Sequence, residues 1–258
     1  MRLLLVFLAF VLATLVLGGI VLVAALIGVP DRPGGIYDWA PRTWTRILVK
    51  AAGVRVVVHD FERAAGGARV FASNHVSWYD VFALASVLPR YRFIAKAELF
   101  RIPIFGPAAR AVGTIPIERQ NRKSSFGSYD EAARQIRGGS SVVVFPEGTR
   151  GREYPLRPFK KGPFVLAIAA QAPLVPTVVH GSIAVQPRGS WRVRPGIVNV
   201  HFLEPVDTAG LTYEDRDRLS HLVWQRMADA LHALYGVESV PPAPREEVAA
   251  PTPTTFPI

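Results

Sequence analysis

The sequence predicts an α/β fold: a mixed, mostly parallel central sheet flanked by helices, with an N-terminal two-helix membrane-associated motif. Three observations carry that expectation. From residue 54 onward, short β-branched runs alternate with stretches of helical apolar spacing, as in a sheet with helices on its faces. Leu3 to Val29 is almost unbroken Leu, Val, Ala, Ile and Phe without a charge, and Ile36 to Gly53 then resumes at helical spacing.

The first segment, as a helix, would run about 40 Å against about 30 Å of hydrocarbon, so it can cross a bilayer with tilt. A secretory signal peptide is the rival, but its apolar region should be shorter and end in a small-residue cleavage site, which Ile27-Gly-Val-Pro30 does not offer. Arg32, Arg42, Arg46, Lys50 and Arg55 follow this run and only Arg2 precedes it. The positive-inside bias then leaves the C-terminal bulk in the cytoplasm, on the plasma (inner) membrane. In the second segment Trp39 and Trp44 stand beside Arg42 and Arg46. That suits a helix at the membrane interface, and equally an amphipathic helix packed on the domain.

Residues 54–59, 69–73, 92–95, 113–117, 140–145, 174–180 and 196–203 read as strands, and 80–88, 124–137 and 159–171 as helices. Thr212 opens a last helix with Asp215 at capping-box spacing, and Gly236 stops it. Residues 239–258 contain six prolines and no periodicity, a disordered tail by composition. The expected organisation is therefore 1–53 for the helix pair, 54–237 for an α/β domain and 238–258 for the tail.

The chain has 258 residues, half of them apolar, enough for one sizeable core. It has no cysteine, which excludes disulfides, thiol nucleophiles and thiolate metal sites. Thirty basic residues stand against 20 acidic, and only five of the basic ones are lysine. A guanidinium fork grips phosphate or carboxylate bidentately. Candidate partners are thus anionic lipids, phosphorylated substrates or an acidic carrier protein. Nucleic acid is the weakest, because the basic residues are scattered and no Walker A or dinucleotide glycine pattern occurs.

The chemistry concentrates in Asn74-His75-Val76-Ser77-Trp78-Tyr79-Asp80, where a strand gives way to a helix, the usual ligand crevice of open α/β sheets. His75 is the natural general base at neutral pH, and Asp80 is placed to accept its other ring N–H. A second reading is structural: Ser77-x-x-Asp80 is itself a capping box. Phe145-Pro-Glu147-Gly148-Thr149-Arg150 follows an apolar strand. There Gly148 allows close backbone approach, Thr149 and Arg150 present donors, and Glu147 offers an acceptor for a substrate hydroxyl. Arg119 ends another strand, and with Arg150 it can neutralise a phosphate monoester. Lys96, Lys160 and Lys161 can steer a coenzyme phosphate or an acidic carrier, or simply be solvated.

These blocks together, His75-x4-Asp80, Ile117-Glu118-Arg119, Phe145-to-Arg150 and Ala172-Pro-Leu-Val-Pro-Thr-Val-Val179, stand in the order and spacing of the four blocks of the glycerolipid acyltransferases, and the chain resembles a bacterial lysophosphatidic acid acyltransferase. Residues 95–106 and 159–164 are similar to its linking segments. Glu118 stands where Asp is common, and Gly151 where Ser is common. The resemblance implies acyl transfer from a thioester of coenzyme A or acyl carrier protein to the free hydroxyl of a lysophospholipid, with no metal and no cofactor beyond that co-substrate. It implies His75 as base, Asp80 as its partner, Glu147, Gly148, Thr149 and Arg150 on substrate, and Arg119 on phosphate. Backbone N–H groups near the helix start or the Gly148 turn are expected to hold the oxyanion. Rivals from other classes are weaker: no Gly-x-Ser-x-Gly elbow and no His-Glu-x-x-His occurs. A membrane-tethered module that binds anionic lipid without turnover is the non-enzymatic alternative.

Overall fold

The computed structural model describes residues 2–118 and 122–241, with the side chains of 122–126 left aside. The sequence's strands form one seven-stranded sheet: β1 (Val54–His59), β2 (Val70–Ser73), β3 (Tyr91–Lys96), β4 (Ile115–Ile117), β5 (Ser141–Val144), β6 (Leu174–His180) and β7 (Gly196–Phe202), in the order β1-β7-β6-β2-β5-β3-β4. Every pairing is parallel except β6 with β7. The sheet is therefore mixed and mostly parallel. β2 and β5 are buried throughout, which is why both read as continuous apolar runs.

One face of the sheet is covered by α5 (Arg122–Arg137), α6 (Gly162–Ala170) and the long α8 (Arg216–Tyr235), with Phe164, Leu166, Met227 and Leu231 fully buried beneath them. The other face carries α3 (Trp78–Val87), and α2 (Ile36–Ala51) lies on top of α3. Outermost is α1, Arg2–Leu26, a continuous helix with one wide π turn at Thr14–Gly18. Where that turn opens, Thr14 Oγ1 accepts from Trp44 Nε1 at 2.9 Å. The remaining helices are short: α4 (Phe105–Ala111) and α7 (Ser182–Val185).

The α1–α2 hairpin is fastened to the domain at both ends. At one, Val6 packs against the apolar cluster of the sheet, and Arg2 Nη1 closes the hairpin on the carbonyl of Ala52 at 2.9 Å. At the other, Asp31 and Asp38 receive Arg90 and Arg92 from the start of β3, at 2.8 to 3.1 Å. Asp38 and Arg92 are almost fully buried, so these charges are paired as burial requires. Arg42 and Arg46 of α2 reach the carbonyls of Pro89 and Ser86, the latter an orphan acceptor in the last turn of α3 and the former just past its end. α2 is thus packed on the domain, while α1 leaves Leu4, Phe7, Leu12, Val16 and Val23 about half or more exposed.

Candidate active site

The site forms where the carboxyl ends of the adjacent parallel strands β2 and β5 meet. Asn74, just past β2, donates from Nδ2 to the carbonyl of Val179 at 2.9 Å and accepts that residue's N–H at 2.7 Å. This pair of bonds pins the turn to β6 and fixes where the chain leaves the sheet. His75 follows, 8% exposed, with its ring stacked on Phe145 at 4.0 Å.

Asp80, in the first turn of α3, is completely buried. Its Oδ2 accepts the backbone N–H of Val76 at 2.6 Å and of Ser77 at 2.8 Å, and lies 3.0 Å from His75 Nδ1. The two sequence readings of this segment do not exclude each other: the capping box is present, with Ser77 as its cap, and the carboxylate oxygen that closes it also holds the imidazole. With Nδ1–H donated to Asp80, the lone pair lies on Nε2, the nitrogen free to take a proton.

The turn after β5 is built against His75. Glu147 is buried, and both its oxygens are committed within the protein: Oε1 accepts the backbone N–H of His75 at 3.0 Å, and Oε2 accepts Arg157 Nε at 2.9 Å. Its carboxylate holds the turn that carries His75, a duty beside the substrate-hydroxyl acceptor expected from the sequence. Burial pushes the Glu147 pKa up, against the pull of the His75 N–H and of Arg157. Gly148 sits at φ +78°, the left-handed conformation that favours glycine, and its N–H is taken by the carbonyl of Phe145. Of the amides expected to hold an oxyanion, those of Val76 and Ser77 are given to Asp80 and that of Gly148 to Phe145. Gly151 N–H closes the turn onto the carbonyl of His75 at 2.7 Å.

Thr149 is exposed and Arg150 half-buried, and both line the same cavity as His75. The Arg150 guanidinium lies over the Trp78 ring, 4.6 Å from its centroid, and among the described residues no carboxylate pairs with it. Burial first, then the Arg188 charge beside it, lower its pKa. Lys96 is at the cavity wall. The stem of Lys160 lies over Gly148, whereas Lys161 pairs with Asp217 on α8. Arg119 lies outside the described residues.

The cavity holds about 750 Å³ and runs from His75 beneath α1 and α2. Its walls there are apolar, including Phe10, Leu17, Trp44, Phe82 and Phe105. Sequence reasoning missed Arg157, which binds Glu147 and the carbonyl of Thr149, and Asn74. Asn74 stood in view in the heptapeptide, but its partner is a strand 105 residues away. Among the described residues no three His, Cys, Asp or Glu side chains converge as metal ligands.

Residues 55–180 match the family described as Acyltransferase. A 1-acyl-sn-glycerol-3-phosphate acyltransferase of Cocos nucifera is 30% identical over 206 residues, covering 79% of this chain and 63% of that protein. A chloroplastic enzyme of the same description from Brassica napus is 37% identical over 130 residues, 50% of this chain and 37% of that one. A lyso-ornithine lipid O-acyltransferase of Rhizobium meliloti is 34% identical over 149 residues, 58% of this chain and 49% of that protein. The chain thus spans between 37% and 63% of the length of these relatives. The crystal structure of the 1-acyl-sn-glycerophosphate (LPA) acyltransferase from Thermotoga maritima superposes with a TM-score of 0.75 and 25% identity over 93% of this chain and all of that one. Residues 55–180, just under half of the chain, thus carry a domain similar to the acyltransferase family, set in a fold shared with the Thermotoga enzyme.

Proposed function

We propose that the protein transfers an acyl group from a thioester, of coenzyme A or acyl carrier protein, to the free hydroxyl of a lysophospholipid, with lysophosphatidate as the leading acceptor. The observation that carries this reading is the buried His75–Asp80 pair opening directly onto a long apolar cavity beside Arg150. Such a cavity suits an acyl chain, and a guanidinium without a carboxylate partner suits an anionic head group. The substrate hydroxyl gives its proton to His75 Nε2 while its oxygen attacks the thioester carbonyl. The tetrahedral intermediate then expels the thiolate, which takes the proton back from the imidazolium that Asp80 stabilises.

A second acceptor is favoured by the Rhizobium relative, described as acting on a lyso-ornithine lipid and as similar in sequence as the lysophosphatidate enzymes. Arg150 can grip a carboxylate as well as a phosphate. Release of thiol by the purified protein, with lysophosphatidate and lyso-ornithine lipid crossed against coenzyme A and carrier-protein thioesters, separates the two. His75→Ala should lower the rate by about 10²–10⁴-fold. Absence of turnover with every pair, with salt-sensitive lipid binding intact, would leave only the non-catalytic lipid-binding module.

The exposed apolar face of α1 is the proposed membrane mount. Because both ends of the α1–α2 hairpin are held against the same α/β body, one by Val6 packing on the sheet's apolar cluster and the other by the Asp–Arg pairs, α1 is proposed to lie along one leaflet. A crossing helix would carry one end about 30 Å away from the domain. The proposed seat is the cytoplasmic face of the plasma (inner) membrane, on the basic bias of the residues after α1.

A further inference from the structure

Residues 186–194, between α7 and β7, form an arm that neither the sheet nor the catalytic pair requires. Its base is closed by Arg194 N–H on the carbonyl of Val185 at 2.9 Å, and its tip by a turn from Pro187 to Ser190. Gln186 Nε2 crosses the arm to the carbonyl of Ser190. Two further bonds fasten it to the site: Ser77 Oγ donates to the carbonyl of Gln186 at 2.7 Å, and Arg188 Nη1 to the carbonyl of Arg150 at 2.6 Å. The arm is thus ordered, and it holds Trp191 81% exposed.

A single exposed aromatic needs no explanation. Three neighbours change the weighing. Arg188, Arg192 and Arg194 are all exposed, and among the described residues none is paired with a carboxylate. On the inner side, Val193 is buried in the same apolar cluster that Val6 of α1 packs against. Trp191 and Arg188 line the same cavity as Leu3 and Phe7 of α1, on the helix whose outer face is apolar and exposed. Tryptophan among arginines, continuous with an exposed apolar helix, matches the boundary between head groups and acyl chains.

We propose that the 186–194 arm is a second foot on an anionic lipid surface, seating Trp191 at the head-group boundary with Arg188, Arg192 and Arg194 on lipid phosphates. The mouth of the cavity then opens onto the bilayer between the arm and α1, and a lysolipid enters sideways without passing through water. The inference rests on α1 being the membrane mount and adds a contact that the mount alone does not need.

The chain has no cysteine, so Ser190→Cys offers a unique attachment point for a polarity-sensitive dye. Ala209→Cys, at the opposite end of the sheet near Gln171, is the control. The full-length labelled proteins are bound to phosphatidylcholine vesicles with and without phosphatidylglycerol, and quenched with iodide from water or brominated chains from the lipid. The label at 190 should shift to the blue and become shielded from iodide on the anionic vesicles, while the label at 209 and a sample given inorganic phosphate instead of vesicles should not change. Each of Arg192→Ser and Arg194→Ser should lower the ratio of seated to free arm by roughly fivefold. A protein that sediments with vesicles while the label at 190 stays open to iodide, or seats it regardless of the two arginines, overturns the arm and leaves the mount standing. A protein that does not sediment with vesicles overturns both. Far-UV circular dichroism of each variant separates loss of fold from loss of seating.

Discussion

Asp80→Asn is the substitution in which the two duties of one carboxylate come apart. An asparagine there can keep its carbonyl oxygen in the place of Oδ2, still accepting Val76 N–H, Ser77 N–H and His75 Nδ1–H. Its amide nitrogen then falls where Oδ1 now sits, a buried position without a hydrogen-bond partner among the described residues. An unsatisfied buried NH₂ costs about 1–3 kcal/mol, a fall in melting temperature of roughly 2–12 °C for a chain of this size. Geometry survives but the charge is gone. A carboxylate facing an imidazolium across about 4 Å is worth about 4 kcal/mol at an effective dielectric near 20, so kcat should fall on the order of 10³-fold with KM little changed. Thermal melts by circular dichroism and single-turnover thiol release, on vesicle-bound protein, read the two effects separately. An Asp80→Asn enzyme within tenfold of the parent kcat, while His75→Ala is inactive, would refute a catalytic role for the charge and leave Asp80 as a helix cap.

Glu147→Gln tests the buried carboxylate that orients His75. Because the folded Glu147 pKa lies above its ordinary 4.5, the native state binds that proton more tightly than the unfolded chain does. The parent should therefore lose stability as pH rises from about 4.5 through the raised value, and the glutamine variant should lack that slope in denaturant titrations. His201 has the opposite sign. Burial first, and His59 next, lower its pKa from 6.5 to about 4, with Nε2 2.6 Å from Tyr235 Oη. Stability from the neutral ring is complete above pH 6.5 and should be lost as the pH falls from 6.5 to about 4; His201→Gln should flatten this part of the pH–stability curve. Asp38→Ala strips a carboxylate from the almost fully buried Arg92 and from Arg90. Breaking a buried pair from one side costs about 3–5 kcal/mol, so the melting temperature should fall by roughly 6–20 °C; an unchanged melt would show that the ion network does not hold the hairpin down.

Much of this was legible in the sequence because it is local. The seven strands announce themselves by β-branched runs between glycines and prolines, and their identities survive even where boundaries move by a residue or two. The ends of α1 were not legible. A charge-free run from Leu3 to Val29 satisfies the length test for a crossing helix, and composition carries no record that Asp31 and Asp38 meet Arg90 and Arg92, more than 50 residues on. The partners of Glu147 were hidden for a related reason: Pro-Glu-Gly-Thr-Arg reads as a polar turn offering its side chains outward, and nothing in its spacing reveals that Arg157 folds back over it.

The heptapeptide is the instructive case, since sequence reasoning treated cap and catalytic pair as competing explanations of the same two residues. They compete only if a carboxylate has a single partner. One oxygen of Asp80 takes two backbone N–H groups at the start of α3 and the imidazole N–H together. The helix terminus therefore positions the imidazole: α3 cannot fray without releasing His75, and His75 cannot turn away without giving up its Nδ1 contact to Asp80. Placing the base on a capped helix start, with its backbone N–H held by Glu147 from the neighbouring strand, gives the turn two rigid supports. A loop pinned from both sides in this way needs no substrate to assemble it, and in the proposed reaction that is the physical content of preorganisation at this site.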